Sequence, residues 1–431
     1  SHMNKNYLKP RIEAINEIYT VLQGMPHKNI EYNNKLIKSL ISISLRRLGE
    51  ISFYIRNYIK KPLKKEHDKT KSILIIGITQ ILYMKSPNYA SVDTSVEITK
   101  KLYPKHTNLV NGVLRNIIRD INSNKFIKAK PKNYIPNKIK NRWRMHMRIA
   151  DIEKIILQNL EMPPSLDISI NIKENLLEWQ KNLNGEIFGD NNIRILKPKG
   201  NIENLYGYSE GKWWIQDYAA QLPAKILISS LRQNADVIDM CAAPGGKTAQ
   251  LINSGANVIS IEKDFNRAKI LKKNLKRLRL KNKVIIKDAI NFKADKKVDG
   301  ILLDAPCSAT GTFRKNPDIP WRIENDKNFI NKINNLCSTQ KKLLEAAKNF
   351  LKKGGTLVYA VCSLEIEEGE NAIYEFIKNN KNFSIKPIRN NEINIHKDAI
   401  TKQGFIRTYP YHYKLKGGID GFFIARLIKN N

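Results

Sequence analysis

Two short apolar runs in this sequence each lead to a cysteine. The first, Ile301-Leu302-Leu303, stops at Asp304 and continues into Pro306-Cys307 within a small loop that contains a glycine. The second, residues 357–361, leads directly to Cys362. Short apolar runs of this kind predict buried strands of a parallel sheet. Cysteine is a common core residue, but a thiolate is also a nucleophile, and two strand ends that each carry a thiol indicate covalent chemistry.

A further predicted strand, 237–239, leads into a loop suited to binding a small molecule. Residues 240–248 hold small side chains and two adjacent glycines, and a predicted helix follows them. Such a loop lets the backbone approach a ligand closely, and a helix N-terminus favours a carboxylate or phosphate. The loop has neither the GxGxxG nor the GxxxxGK[ST] pattern, which disfavours NAD and ATP as ligands.

Acidic residues end the next strands. Glu262 stands roughly 20 residues after the loop, where an acid typically binds ribose hydroxyls. Asp288 follows the next predicted strand, where it could meet an adenine amino group. Any one of these acids could simply cap a helix. Together with Asp304 and the two thiols, however, they predict a nucleoside-bearing cofactor beside nucleophilic chemistry.

The elements that must position these residues alternate between strand and helix along residues 213–431. This order predicts a parallel sheet with helices on both faces, and ligands bind such a sheet beyond the carboxyl ends of its strands. We predict strands at 237–239, 258–261, 284–286, 301–303 and 357–361, then a terminal pair near 406–409 and 422–427.

The remaining chain predicts three other segments. Apolar residues recur at spacings of three and four through residues 4–122, which indicates an all-α domain. Residues 123–164 are interpreted as a basic linker with helices. Residues 165–212 are interpreted as a small α+β subdomain, with strands at 166–172 and 193–196 and a helix at 176–183. Ser1-His2-Met3 is typical of an expression scar ahead of a natural start at Met3.

Composition narrows the class of protein. A net charge of +35 on 431 residues predicts a polyanionic partner, with nucleic acid the first choice. The chain is rich in Lys, Asn and Ile throughout, and a biased coding composition would produce part of this charge without selection for binding. The four cysteines form no zinc-binding pattern, and no apolar run approaches the roughly 20 residues of a membrane span. We expect no metal, no membrane contact and a reducing, cytoplasmic setting.

The motifs DMCAAPGGKT (239–248), DAPCSATG (304–311) and YAVCS (359–363) resemble the signatures of the Nol/Nop/Sun family of RNA cytosine-5 methyltransferases. In the helical front, YASVDTSVE (89–97) and VNGVLR (110–115) are similar to NusB-type RNA-binding domains. RKNPDIPW (314–321) and DGFF (420–423) also match the RsmB (Sun/Fmu) type, although that type more usually has Arg-His where this chain has Lys315-Asn316. The resemblance implies an all-α NusB-like N-terminal domain, a small α+β insert and a C-terminal α/β Rossmann-like class I methyltransferase domain.

The resemblance also implies how the site works. The cofactor would be S-adenosyl-L-methionine and the target carbon 5 of a cytosine in small-subunit (16S) rRNA. Cys362 would attack carbon 6 of the base, Asp304 would hold its N3/N4 edge, and Cys307 would assist release of the product. The implied cofactor-binding residues are Cys241, Ala242, Ala243, Pro244, Gly245, Gly246, Lys247, Glu262, Arg267, Asp288 and Asp304.

Other hypotheses remain open at this point. The same chemistry could act on tRNA or another RNA, because the catalytic motifs do not encode the target. A NusB-like RNA-binding assembly factor without catalysis is the alternative from another class. The DNA cytosine-5 family is disfavoured, because its Pro-Cys thiol is the nucleophile and it has no counterpart of Cys362. We expect a monomer that binds a single-stranded or extruded cytosine of rRNA.

Overall fold

The computed structural model describes residues 2–28 and 34–431, except for the side chains of residues 2–6 and 88. Contacts divide the chain into two units, Ser1–Met162 with Phe313–Phe329 and Pro163–Thr312 with Ile330–Asn431. The helices are α1 (His2–Leu22), α2 (Lys35–Arg46), α3 (Leu48–Tyr58), α4 (Asp68–Tyr83), α5 (Asn88–Leu102), α6 (Thr107–Asn122), α7 (Asn137–Trp143), α8 (Ile149–Gln158), α9 (Leu176–Leu183), α10 (Tyr218–Ser229), α11 (Gly246–Asn253), α12 (Phe265–Arg277), α13 (Ile319–Glu324), α14 (Phe329–Phe350) and α15 (Glu370–Asn379). The strands are β1 (Leu166–Ile170), β2 (Glu186–Ile187), β3 (Asn192–Ile195), β4 (Trp213–Ile215), β5 (Asp236–Asp239), β6 (Asn257–Glu262), β7 (Lys283–Ile286), β8 (Val298–Asp304), β9 (Leu351–Val361), β10 (Phe383–Ile385), β11 (Ile406–Arg407) and β12 (Phe423–Lys429).

The first unit is helical, as the apolar spacing predicts. Helix α4 lies at its centre and contacts α1, α2, α3, α5 and α6. Its residues from Ser72 to Ile81 are all buried, which explains why apolar residues run almost continuously along it rather than on one face. Helix α6 shows the amphipathic pattern instead, with Val110, Val113 and Leu114 among its buried positions.

The segment Phe313–Phe329 belongs to the first unit, although we expected every residue from 213 onward in one domain. The ring of Phe313 stacks on the buried Trp143 with 5.7 Å between ring centroids. The indole nitrogen of Trp321 donates to the carbonyl of Leu45 at 3.1 Å. Aromatic side chains therefore join this segment to the helices of the first unit. The predicted boundaries, which kept residues 213–431 in one domain, did not include this packing.

A four-stranded antiparallel sheet in the order β2-β3-β1-β4 opens the second unit. Helix α9 has the predicted bounds, and Ile168, Ile193 and Trp213 are buried in the core of this sheet. Strand β4 pairs with β1, with Ile215 opposite Ile168, so the sheet extends beyond the boundary expected at residue 212. Its two tryptophans are buried in the protein, whereas the prediction treated them as a lead into the next domain.

The large sheet has the order β10-β12-β9-β8-β5-β6-β7, and β11 pairs with β12. Strands β9, β8, β5, β6 and β7 are parallel, whereas β12 runs antiparallel beside β9. All of the predicted strands of this sheet are present, and the short β10 was missed. The chain proceeds from β5 to one side and returns to β8 on the other, which makes the β5–β8 boundary the expected ligand site.

No helix in the part of the chain that the structure describes is long and apolar enough to cross a membrane. Among the same residues, no group of three or more His, Cys, Asp or Glu side chains could hold a metal ion.

Candidate active site

The two strand-end cysteines meet in the structure. Strands β8 and β9 are parallel neighbours with Asp304 opposite Ala360, so the loops that follow them lie side by side. The Sγ atoms of Cys307 and Cys362 are 3.5 Å apart, and both side chains are partly exposed. The site therefore offers two thiols to one substrate rather than two separate cysteines.

Cys307 is held in its protonated form. The hydrogen bond with Cys362, followed by burial and by the charges of Cys362 and Glu368, raises the pKa of Cys307 well above its usual range. A thiol that keeps its proton is a poor nucleophile, because the thiolate is the reactive form. Cys307 is therefore poorly suited to make the first attack on a substrate.

Asp304 is bound to a residue that the sequence assigned to the cofactor. The Nζ atom of Lys247 lies 2.9 Å from Oδ2 of Asp304, and the carboxylate keeps about a quarter of its surface exposed. Burial alone would lower the pKa of Lys247, but the charge of Asp304 and this hydrogen bond raise it overall. Lys247 also lies 5.7 Å from the centre of the Phe422 ring. The loop predicted to bind the cofactor and the acid predicted to hold the base are therefore joined by an ion pair.

Glu262 and Arg267 lie against the small-residue loop. The backbone amides of Ala243 and Asp264 donate to the two carboxylate oxygens of Glu262, at 3.1 and 3.0 Å. Arg267 donates from Nη2 to the carbonyl of Ala243 at 3.1 Å. Gly245 follows with φ of +116°, which brings the chain into α11 in a conformation that favours glycine. The loop is thereby held against the acid that the sequence assigned to ribose.

Asp288 and Cys241 are two further residues predicted to bind the cofactor; Asp288 contacts residues near it in the sequence, and Cys241 is affected mainly by burial. One oxygen of Asp288 accepts from the amide of Ile290 at 3.0 Å, and the other lies 3.7 Å from Nζ of Lys263. Burial raises the pKa of Cys241 well above its usual range, so this cysteine stays protonated. The charges of Asp304, Asp239 and Glu262 raise the pKa of Cys241 further.

A close approach of two glycines fixes the loop after Cys307. The amide of Gly311 donates to the carbonyl of Cys362 at 3.0 Å, and the amide of Gly421 donates to the carbonyl of Gly311 at 2.8 Å. A Cβ atom placed on Gly311 would lie 1.9 Å from the carbonyl oxygen of Gly421. Gly311 is therefore required by contact, and the backbone ahead of β12 supports both thiol loops.

Asp239, at the end of β5, is a buried acid that the site prediction did not include. Oγ1 of Thr248 donates to its Oδ2 at 2.6 Å, whereas Oδ1 has no hydrogen-bond partner among the described residues. Burial raises the pKa of Asp239 to about 7. Sequence reasoning used this residue only as the last residue of a strand, because its burial is a tertiary property.

Asp239 should contribute less to the stability of the cofactor-free protein as the pH rises from about 4 to about 7. In this window folded Asp239, with its pKa of about 7, keeps a proton that the unfolded chain, with an ordinary value of 3.8, has released. Each pH unit should therefore lower the free energy of unfolding by up to about 1.4 kcal/mol. Asp239→Asn, which retains an oxygen for Thr248, should remove this contribution. Urea unfolding of both proteins across the window measures the difference, and identical pH slopes would contradict the assignment.

Sequence reasoning also missed the acid behind the two thiols. Glu368 is fully buried, and its carboxylate accepts hydrogen bonds from residues next to both cysteines. It ends the run Glu365-Ile366-Glu367-Glu368, which in sequence has the character of an exposed acidic turn. The one feature of the sequence that could have pointed to Glu368 is its position six residues after Cys362. Only burial, which the sequence does not show, distinguishes Glu368 from its neighbour Glu367.

Comparison with known proteins identifies the chain. Residues 226–428 match the family model described as 16S rRNA methyltransferase RsmB/F, and residues 9–119 match the NusB family. The ribosomal RNA small subunit methyltransferase B of Proteus mirabilis (strain HI4320) is 33% identical over 371 residues, covering 81% of this chain and 85% of the relative. The chain belongs to the RsmB/F family of 16S rRNA methyltransferases. The ribosomal RNA small subunit methyltransferase B of Serratia proteamaculans (strain 568) is 30% identical, and the alignment covers 99% of this chain and 100% of the relative.

Membership confirms the predicted enzyme class, an S-adenosylmethionine-dependent rRNA methyltransferase. The solved structure of PH0851 has a TM-score of 0.73 at 23% identity, covering 97% of this chain and 98% of that one. The solved structure of NSun6 from Pyrococcus horikoshii with SFG has a TM-score of 0.57 at 20% identity, covering 69% of this chain and 99% of that one. These likenesses show the fold. Together with the family matches, they confirm a NusB-like helical domain and a Rossmann-like methyltransferase domain.

Proposed function

We propose that this protein methylates carbon 5 of a cytosine in 16S rRNA through a covalent bond between Cys362 and carbon 6 of the base. The observation that carries the proposal is the pair of thiols, with Sγ atoms 3.5 Å apart at neighbouring strand ends. A DNA-type cytosine methyltransferase needs one thiol at the Pro-Cys position. A second thiol on the next strand supports the RNA-type mechanism, in which attack and release use different cysteines.

The residues around the loop after β5 suit S-adenosylmethionine. The loop consists largely of small residues, among them Ala242, Ala243 and Gly245, and beside it Glu262 presents a carboxylate held by two amides. The unpartnered buried oxygen of Asp239 indicates a polar group that a ligand or solvent would satisfy. When bound, the cofactor supplies a sulfonium methyl group that a carbon nucleophile can accept.

Carbon 5 of cytosine is a weak nucleophile until a thiolate adds to carbon 6. Cys362 forms the sulfur–carbon bond, and the electron pair of the 5,6 double bond moves toward N3 of the ring. Asp304 would accept a hydrogen bond from the N4 amino group, and a proton delivered to N3 through this acid would neutralise the negative charge that develops there. Lys247, 2.9 Å from Asp304, fixes the orientation of the carboxylate and keeps it close to the cofactor loop.

Product release needs a base near carbon 5. Once Cys362 is bonded to carbon, its sulfur no longer shares a hydrogen bond with Cys307 and no longer carries a charge. Because both that hydrogen bond and that charge raise the pKa of Cys307, the pKa falls when they are removed. Cys307 then becomes able to release its own proton to solvent and, as a thiolate, to accept the proton from carbon 5. The electrons of that C–H bond restore the 5,6 double bond, and the bond from carbon 6 to Cys362 breaks with its electron pair leaving on sulfur, which regenerates the Cys362 thiolate.

An RNA partner is supported by the charge of the first unit as well as by the net charge of +35. A cavity of about 570 Å³ lies within this unit. Its lining includes Lys28, Lys38, Arg46, Lys315 and Arg322, together with Asp318. A site with this excess of cations attracts phosphate groups, and RNA binding that depends on these cations weakens as the salt concentration rises.

We propose that the enzyme works as a monomer in the cytoplasm, where rRNA is assembled.

Mapping of 5-methylcytosine tests the target. Bisulfite sequencing of 16S rRNA and tRNA should be compared between the natural host and a strain lacking this protein. Loss of methylation at one 16S cytosine, restored by the wild-type gene, is the expected result. An unchanged 16S profile with a lost tRNA signal would overturn the substrate while leaving the chemistry in place.

A further inference from the structure

Glu368 lies directly behind the two thiol loops, and its side chain is fully buried. Its Oε2 accepts from the amide of Ser308 at 3.0 Å, and its Oε1 accepts from the hydroxyl of Ser363 at 2.7 Å. The hydroxyl of Ser308 donates to the same Oε1 atom. Ser308 follows Cys307 and Ser363 follows Cys362, so one carboxylate joins the residues next to both thiols.

Helix α14 supplies a further contact to the same carboxylate. Gln340, also fully buried, donates from Nε2 to Oε2 of Glu368 at 3.0 Å and to the carbonyl of Pro306 at 2.8 Å. The hydroxyl of Tyr359 donates to the backbone carbonyl of Glu368 at 2.6 Å. A buried carboxylate is costly unless donors satisfy both oxygens, and here several do. Both oxygens of the carboxylate are therefore satisfied, and its network reaches the residues on either side of Cys307, although Oε1 of Gln340 has no hydrogen-bond partner among the described residues.

We propose that Glu368 is a positioning residue that sets the two thiols in contact and keeps Cys307 protonated until Cys362 has bonded to the base. The proposal rests on the covalent mechanism above, in which the two cysteines have different tasks. A network of neutral groups could hold the loops equally well. The particular effect of a buried negative charge at this point is that it opposes a second negative charge on Cys307.

The groups around Cys307 are consistent with this role. Tyr359 on β9 and Cys362, which follows that strand, lie near Cys307. The charge of Glu368 contributes to the raised pKa of Cys307, after the hydrogen bond with Cys362, burial and the charge of Cys362. Two cations lie near these loops: Lys247 pairs with Asp304 at 2.9 Å, and Arg407, which pairs with Glu370, donates to the carbonyl of Ser363.

The test compares Glu368→Gln, Glu368→Asp and the exposed neighbour Glu367→Gln in the full chain. Each substitution is made in a Cys362→Ser background, so that Cys307 is the thiol that remains of the pair. The rate at which iodoacetamide alkylates Cys307 is then measured as a function of pH by peptide mass spectrometry. Glu368→Gln should lower the alkylation midpoint of Cys307 by about one pH unit. Glu368→Asp, which keeps the charge, and Glu367→Gln should leave the midpoint near that of the parent.

Methylation by the same variants with Cys362 present gives the second readout. Glu368→Gln should lower kcat by at least about tenfold while KM for RNA stays within about twofold, because substrate binding does not involve this acid. Part of the activity should return in Glu368→Asp. An unchanged alkylation midpoint in folded Glu368→Gln would overturn the proposal, whatever happens to kcat. If Glu368→Gln does not fold, a midpoint in Glu368→Asp that falls to the value of an unstructured cysteine would overturn it instead.

The alkylation measurement needs neither RNA nor cofactor. A failure of this proposal would appear there, whereas a failure of the proposed methylation would appear as unmodified 16S rRNA with the alkylation result intact. The two outcomes are therefore distinguishable.

Discussion

Replacing Cys362 with alanine should abolish methyl transfer to RNA, lowering kcat by at least about 10⁴-fold. Without the thiolate, carbon 6 receives no nucleophile and carbon 5 is never activated. Cys307 cannot substitute, because it lies on the neighbouring loop after β8, where the proposed mechanism places it beside carbon 5 rather than carbon 6 of the base. The measurement is transfer of a labelled methyl group from S-adenosylmethionine to a 16S rRNA fragment under single-turnover conditions.

Cys337→Ala is the matched control for this substitution. Cys337 lies on α14, is partly exposed like Cys362, and is placed outside the thiol pair. Its removal should leave the rate within about twofold, and both variants should bind the cofactor as the wild type does. Activity of Cys362→Ala near the wild-type level would contradict the assignment of the nucleophile.

Replacing Cys307 with alanine should stop the reaction after about one methyl group per enzyme and leave the protein bonded to RNA. Attack by Cys362 and methylation of carbon 5 do not need Cys307, whereas removal of the carbon 5 proton does. The adduct should survive denaturing gel electrophoresis as a band of reduced mobility that ribonuclease shortens. Turnover in multiple-turnover assays should fall by at least about 10²-fold, the lower range for loss of an acid–base group.

The double variant Cys307→Ala/Cys362→Ala provides the control for trapping, and it should form no adduct. Cys307→Ser, which restores a hydroxyl of similar size, should still trap, because a hydroxyl is too weak an acid to replace the thiol. Trapping by Cys362→Ala in place of Cys307→Ala would show that the two cysteines have exchanged roles.

The strand ends of the large sheet were predictable because their signals are local. Three of the parallel strands contain a short apolar run and end on an acid, at Asp239, Glu262 and Asp304. The rule that ligands bind beyond the carboxyl ends then predicts that these acids and the two thiols converge. The contact between Cys307 and Cys362 is the clearest result of that reasoning.

Features that depend on tertiary burial were beyond sequence reasoning. Glu368 and Gln340 are polar residues in helical or acidic stretches, and nothing local distinguishes them from exposed neighbours such as Glu367. The segment Phe313–Phe329 contains ordinary apolar residues, and no local pattern indicates that it packs with the first unit. Strand β4 is three residues long and was recognisable only by its partner β1.

The antiparallel position of β12 beside β9 has a consequence for the order in which the enzyme becomes active during synthesis. Strand β9, which leads to Cys362, forms its outer hydrogen bonds with β12, and Gly421 supports the loop after Cys307. Both come from residues that leave the ribosome well after the two cysteines, since translation proceeds from the N-terminus. The nascent chain can therefore form helices α1 to α8 early and complete its helical unit once Phe313–Phe329 has emerged, but the thiol site is finished only after β12 has followed. A partly made protein should bind RNA before it can modify it.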